Sequence, residues 1–398
     1  MKIKPNIKGN ISKSAHPYGC KEAVKKQIEY IKKQEKFNGP KKVLILGSSS
    51  SFGLASRIAL AFGSNADTIG VSYERGIVNK EKLATAGWWN NIFFRKEAEK
   101  EGLIAKNFIG DAFSDEMKKD VIRYIKEEFG GKIDLLIYSL ASGRRTDPTD
   151  GKTYYSYLKP IGESIEGYNI NIEKQEIFIQ EVSQATKKEI ESTVKVMGGE
   201  DWELWINALL EANVLENGFK TTLFSYIGPE ITKDFYRLGT LGKAKKDAER
   251  VSKKLNKRLK KEVDGESVIS VSKAATTKAS VVIPILPIYV CALYKVMSEK
   301  GLHESLIMHQ YRFLKDMLYG NKREIDEKGR LRPDSWEMRE DVQREVKEIM
   351  DKITPENFKD ITSFDMFLDD FIKINGFGFD EVNYDEDVDI ESVKKLKP

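Results

Sequence analysis

Val43-Leu44-Ile45-Leu46-Gly47-Ser48-Ser49-Ser50-Ser51-Phe52-Gly53 joins a short apolar run to a loop of small residues. Four consecutive aliphatic residues suit a parallel strand buried on both faces. Leu54 to Phe62 then reads as a helix. Strand, small loop and helix aim backbone N–H groups and a helix N-terminus at a pyrophosphate, and the serine hydroxyls add donors. The loop has glycine only at its two ends, so its strand–helix context carries the inference. The alternative is an ordinary serine-rich N-cap region.

Downstream, Asp67 to Ser72 reads as a second strand that ends at Tyr73-Glu74. Glu74 lies 21 residues past Gly53. An acid there accepts from a ribose 2′-OH and repels a 2′-phosphate, which favours NADH over NADPH. Ile104 to Ile109 and Ile133 to Tyr138 read as further strands. Ser114 is placed to cap a helix from Asp115 to about Phe129, with Asp115 and Glu116 in its first turn. Ligands in such sheets lie beyond the carboxyl ends of the strands. That puts Asp111, Ala112, Leu140 and Ala141 beside a cofactor. The expected fold is α/β: a Rossmann-type doubly wound parallel sheet within one catalytic unit over 1–398. A helical preface occupies 1–40, with an amphipathic helix over Lys21–Lys36 closed by Pro40. An insertion covers about 144–215 and includes a hairpin within Tyr168–Val182. A helical extension covers about 300–398.

The bulk properties narrow the function. The chain has 398 residues, 40% hydrophobic and 32% charged, with a net charge of +4 from 66 basic and 62 acidic residues. The charges are mixed along the chain, which argues against nucleic acid as a partner. Cys20 and Cys291 make no disulfide framework and no zinc spacing, and the three histidines form no metal-ligand cluster. Two reduced thiols and no apolar leader suit a cytoplasmic protein. The longest apolar run, Val281 to Tyr294, is interrupted by Pro284 and Pro287 and is too short to span a membrane. It reads as buried core or a pocket wall.

Tyr236 and Lys245 are the candidate chemistry, with eight residues between them. A lysine beside a cofactor can hold ribose hydroxyls and, as a cation, favour the ionised phenol. The tyrosine can then bond to a substrate oxygen that gains charge. Nine steps on one helix would put the pair on opposite faces at about 100° per residue. Gly239 and Gly242 argue against one unbroken helix. Thr240 reads as the N-cap of a helix to about Lys261, with Tyr236 on the turn before it. The alternative is a partly buried ring and a solvated cation.

Assembled, these segments resemble the trans-2-enoyl-CoA reductase family, which includes the long NADH-dependent enoyl-acyl carrier protein reductases. The likeness runs through His16-Pro17-Tyr18-Gly19-Cys20, Gly47–Gly53, Thr85-Ala86-Gly87-Trp88, Asp111-Ala112-Phe113 and Tyr138-Ser139-Leu140-Ala141. It continues through Lys195–Trp202, Ser225-Tyr226-Ile227-Gly228, Gly239–Lys245 and Asn375-Gly376-Phe377. The resemblance implies that Tyr236 and Lys245 are catalytic and that Tyr226 and Thr277 meet the substrate. It implies that NADH lies on Gly47, Ser48, Ser49, Ser50, Ser51, Phe52, Gly53, Tyr73, Glu74, Asp111, Ala112, Leu140, Ala141, Lys245, Ala275, Thr276 and Thr277. The family usually has glycine where this chain has Ser51, a strained exchange if that position needs φ > 0.

The implied reaction is NADH-dependent reduction of the 2,3 double bond of a trans-2-enoyl thioester, with coenzyme A or acyl carrier protein as the acyl carrier. The protein is expected to act as a monomer. Two rivals stand beside this. A short-chain alcohol dehydrogenase commonly has its lysine four residues after the tyrosine, where this chain has Thr240. A non-catalytic NADH sensor would bind the cofactor and turn over nothing.

Overall fold

The computed structural model covers residues 1–398. Six strands form one sheet: β1 (Lys42–Leu46), β2 (Asp67–Ser72), β3 (Ala105–Ile109), β4 (Ile133–Tyr138), β5 (Leu215–Ser225) and β6 (Glu266–Val271). Their order is β3-β2-β1-β4-β5-β6, and every pairing is parallel. This is the doubly wound arrangement expected from the alternating strand and helix signals.

Side chains alternate between faces along a strand, and here both faces are covered. Val43 and Ile45 enter one apolar cluster, Leu44 and Leu46 the other. All four are fully buried, each worth roughly 1.5–3 kcal/mol relative to exposure. On the first face lie α1 (Pro17–Lys32), α2 (Ser51–Ser64) and α3 (Ala86–Lys100). On the second lie α4 (Asp115–Glu127), α6 (Glu200–Glu211) and α7 (Thr240–Val263), with α5 (Lys187–Met197) beside α7. The Ser114 hydroxyl accepts from the Met117 N–H at 3.1 Å, the cap expected for α4.

The insertion supplies the hairpin, with Ile165–Asn171 paired antiparallel to Glu176–Val182. Its apolar side joins α8 (Leu286–Glu299) and the helices Glu340–Met350 and Phe364–Lys373 in a third cluster. That cluster stands at the carboxyl end of the sheet, over the site described below.

Three boundaries differ from expectation. Helix α1 starts at Pro17 because His16 Nδ1 accepts from the Gly19 N–H at 3.3 Å, and it ends at Lys32, well before Pro40. Helix α7 is capped by Gly239 and not by Thr240, because the Thr240 hydroxyl donates to the Tyr157 carbonyl instead. Helix α2 begins at Ser51, three residues earlier than Leu54.

Ser51 enters that helix at φ +51°. A serine there meets the Cβ–carbonyl crowding of the left-handed region, about 1–2 kcal/mol. Glycine avoids it but adds roughly 0.4–1 kcal/mol of unfolded-chain entropy. Ser51→Gly is therefore expected to raise stability by about 0.5–1 kcal/mol in urea unfolding; a loss of stability would show that the loop does not strain serine.

Candidate active site

A cavity of about 880 Å³ runs along the carboxyl ends of the strands. It opens where the strand order reverses, between β1 and β4. Gly47 sits there at φ +85°, and a Cβ on it would stand 2.3 Å from the Ser139 carbonyl oxygen. A Cβ on Gly53 would stand 2.0 Å from the Gly47 oxygen. The two glycines thus let the loop fold tightly over the sheet edge and face Ser49, Ser50, Ser51 and Phe52 into the cavity.

Tyr73 and Glu74 line the same wall. Glu74 accepts from the Ser49 hydroxyl at 2.6 Å and from the Thr85 hydroxyl. A Cβ on Gly87 would stand 2.0 Å from the Glu74 carboxylate, so Thr85 and Gly87 at the start of α3 fix that acid beside the loop. Asp111 and Ala112 follow β3, and Leu140 and Ala141 follow β4. Trp205 of α6 donates its indole N–H to the Ala112 carbonyl at 3.0 Å and anchors that turn.

Three expected cofactor residues do not line the cavity. Ser48 is buried and its hydroxyl points to the Val71 carbonyl at 3.4 Å. Gly53 lies behind Gly47, where α2 needs its missing side chain. Thr276 is turned to the Tyr294 hydroxyl, which accepts from its N–H at 3.0 Å. Ala275 and Thr277 on either side do face the cavity.

The same cavity is lined by two tyrosines. Strand β5 ends at Ser225 and delivers Tyr226, while Tyr236 lies on the turn before α7. Their rings meet edge to face, with centroids 4.8 Å apart and planes at 88°. Lys245, on the second turn of α7, donates to the Phe224 carbonyl at 3.3 Å. All three line the cavity. Burial pushes the Tyr236 phenol well up and the Lys245 amine down to about 8. The expected pull of Lys245 toward an ionised phenol is therefore overridden by desolvation, and Tyr236 stays a neutral donor.

The turn at Tyr236 is held by its own carbonyl, which accepts from the N–H groups of Gly239 at 3.1 Å and Gly242 at 3.0 Å. Sequence reasoning missed Lys273, which lines the cavity, and Glu337, which lies just behind it. Glu337 Oε1 lies 3.0 Å from the Tyr226 hydroxyl, and Glu337 accepts from the Tyr289 hydroxyl at 2.8 Å and the Ala274 N–H at 2.6 Å.

Residues 82–319 match the family model described as the trans-2-enoyl-CoA reductase catalytic region, and residues 2–79 match its NAD(P)H binding domain. The chain belongs to the trans-2-enoyl-CoA reductase family. It is 54% identical to the trans-2-enoyl-CoA reductase [NADH] of Clostridium beijerinckii, with 100% of both chains covered. It is 49% identical to enoyl-[acyl-carrier-protein] reductase [NADH] 2 of Photobacterium profundum, again with 100% of both covered. The crystal structure of the Clostridium acetobutylicum trans-2-enoyl-CoA reductase in complex with NADH superposes with a TM-score of 0.98 at 49% identity, covering 100% of each chain.

Residues 325–388 match a model described as the enoyl reductase FAD binding domain. Here Val342, Val346, Phe358, Phe364, Phe367 and Phe371 of that segment are buried in the cluster around α8. These side chains serve as apolar core in this fold.

A Cβ on Gly242 would stand 1.9 Å from the Arg237 carbonyl oxygen and 2.9 Å from that of Tyr236. Both are backbone atoms in a hydrogen-bonded turn. Gly242→Ala is expected to cost about 1–3 kcal/mol of stability, read by urea unfolding. Unchanged stability would mean that this turn is free to move.

Proposed function

We propose that this chain reduces the 2,3 double bond of trans-2-enoyl thioesters with NADH, releasing the saturated acyl thioester. The observation that carries this reading is one cavity lined together by the tight loop, Glu74, Tyr226, Tyr236 and Lys245. Ser49 to Phe52 and the N-terminus of α2 suit a pyrophosphate, and Glu74 suits a ribose 2′-OH over a 2′-phosphate. Asp111, Ala112, Leu140, Ala141, Ala275 and Thr277 would border the rest of the dinucleotide. When bound, NADH supplies the hydride for the β-carbon.

As that carbon is reduced, negative charge gathers on the thioester oxygen. Tyr236 would donate to that oxygen, with Tyr226 beside it as the second donor. Their burial keeps both phenols neutral and strengthens each bond they make in a site shielded from water. Lys245 would hold the ribose hydroxyls from the first turns of α7. Thr277, which lines the cavity, would border both the cofactor and the acyl group. Coenzyme A and acyl carrier protein present the same thioester, and the relatives above carry names of both kinds. We take coenzyme A as the carrier and acyl carrier protein as the alternative. We further place the protein in the cytoplasm as a monomer; Cys20 and Cys291 are buried free thiols, which suits a reducing compartment. No helix is long and apolar enough to cross a membrane.

Removing one donor to a developing oxyanion costs about 10²–10³ in kcat. Tyr236→Phe is therefore expected to oxidise NADH with crotonyl-CoA at least about a hundredfold more slowly, while NADH binding measured by fluorescence persists. A Tyr236→Phe enzyme near the wild-type rate would remove Tyr236 from the acyl oxygen.

A further inference from the structure

Glu337 has no solvent exposure. It belongs to the C-terminal segment, just past the short turn Pro333–Trp336, and it sits directly behind Tyr226. A hydroxyl has one proton to donate. In the chain of bonds here, Gln343 donates to the Tyr289 oxygen at 3.1 Å, and Tyr289 donates to Glu337 Oε1 at 2.8 Å. Glu337 Oε2 accepts from the Ala274 N–H at 2.6 Å. The remaining contact, Tyr226 to Oε1 at 3.0 Å, runs in either direction according to the proton on Glu337.

If Glu337 is ionised, it can only accept. Tyr226 then spends its single proton on Glu337 and has none for a substrate oxygen. If Glu337 is a neutral acid, Oε1–H donates to the Tyr226 oxygen while Oε1 still accepts from Tyr289. The Tyr226 proton is then free to face the cavity.

We propose that Glu337 is a positioning residue: as a neutral carboxylic acid it donates to Tyr226 and so turns the Tyr226 O–H toward the acyl oxygen. This rests on Tyr226 meeting that oxygen, as proposed above. The groups around Glu337 set its balance. Asp334 on the same turn disfavours a second negative charge, although Arg332 pairs with it at 2.7 Å. Lys273, after β6, lies close enough to feel the carboxylate and favours its ionised form. Tyr226, Tyr289 and Gln343 are neutral, and Tyr236 beyond Tyr226 is neutral as well. Burial dominates and pushes the Glu337 carboxyl up to about 7. The donor is therefore present below pH 7 and is lost as pH rises through it.

The test is the pH dependence of kcat with crotonyl-CoA and saturating NADH, read for wild type, E337Q, E337L and Tyr226→Phe. A group titrating near 7 makes the wild-type kcat fall about tenfold between pH 6 and pH 8. In E337Q the amide oxygen keeps the Ala274 N–H and the NH2 group takes the Oε1 place, donating one N–H to Tyr226 and one to the Tyr289 oxygen, whose own proton turns away. This donor is present at every pH, so the limb near 7 disappears and only the limb of Lys245, higher up, remains. In E337L no donor faces Tyr226, and kcat falls tenfold or more across the range while KM and NADH binding move little. E337Q keeps the shape of the side chain, so an unstable E337L leaves the comparison intact. An E337Q that titrates like the wild type, or that is inactive at pH 6, overturns the inference while a crippled Tyr226→Phe upholds the reading of Tyr226. A Tyr226→Phe enzyme at the wild-type rate overturns both.

Discussion

The site depends on how closely two backbones approach at the reversal of strand order. β1 and β4 are neighbours whose following chains diverge to opposite faces of the sheet. At that point the Gly47 backbone lies so near the Ser139 carbonyl that a Cβ would stand 2.3 Å from it. Only glycine meets this approach at φ +85° without strain. The tight turn lets α2 start at once and points its first N–H groups into the crevice. The other contributors to the cavity, from Glu74 to Thr277, lie on segments that leave or follow strand ends. The register of the parallel sheet brings them together.

Across the crevice the governing term is desolvation. Tyr226 and Tyr236 meet ring to ring and pack with α8 and the C-terminal helices, and Lys245 lines the same cavity. Burial keeps both phenols neutral and weakens the lysine's hold on its proton. It also makes the carboxyl of Glu337 reluctant to ionise. A low-dielectric wall of this kind strengthens any hydrogen bond to a developing oxyanion. The C-terminal segment is therefore part of the site as well as packing, because Glu337 reaches it from beyond residue 325.

Much of this was legible in the sequence where burial leaves a local mark. Strands buried on both faces read as continuous apolar runs, as at Val43–Leu46 and Ile133–Tyr138. The hairpin was visible because one of its faces is wet and its residues alternate. Ser114 and the acids after it marked the start of α4. Helix α3 was not legible as an element, because it buries Asn90 and Asn91 among its aromatic residues and carries no clean apolar stripe. The start of α7 slipped by one residue because Thr240 bonds across to Tyr157, a contact 83 positions away. Glu337 looked like any acid in a charged segment; its partners Tyr226, Ala274 and Tyr289 come from three distant parts of the chain. Ser48 and Thr276 were implied by the family resemblance; here the Ser48 hydroxyl points to the Val71 carbonyl and Thr276 to the Tyr294 hydroxyl, and neither lines the cavity.

The most direct test of the account follows the hydride. Crotonyl-CoA is reduced with NADH carrying deuterium at both C4 positions, and the butyryl-CoA is analysed by mass spectrometry and NMR. One deuterium is expected, on the carbon β to the thioester, and none on the α-carbon, which takes its proton from other sources. Deuterium on the α-carbon, or deuterium lost to solvent with no butyryl-CoA formed, would contradict it.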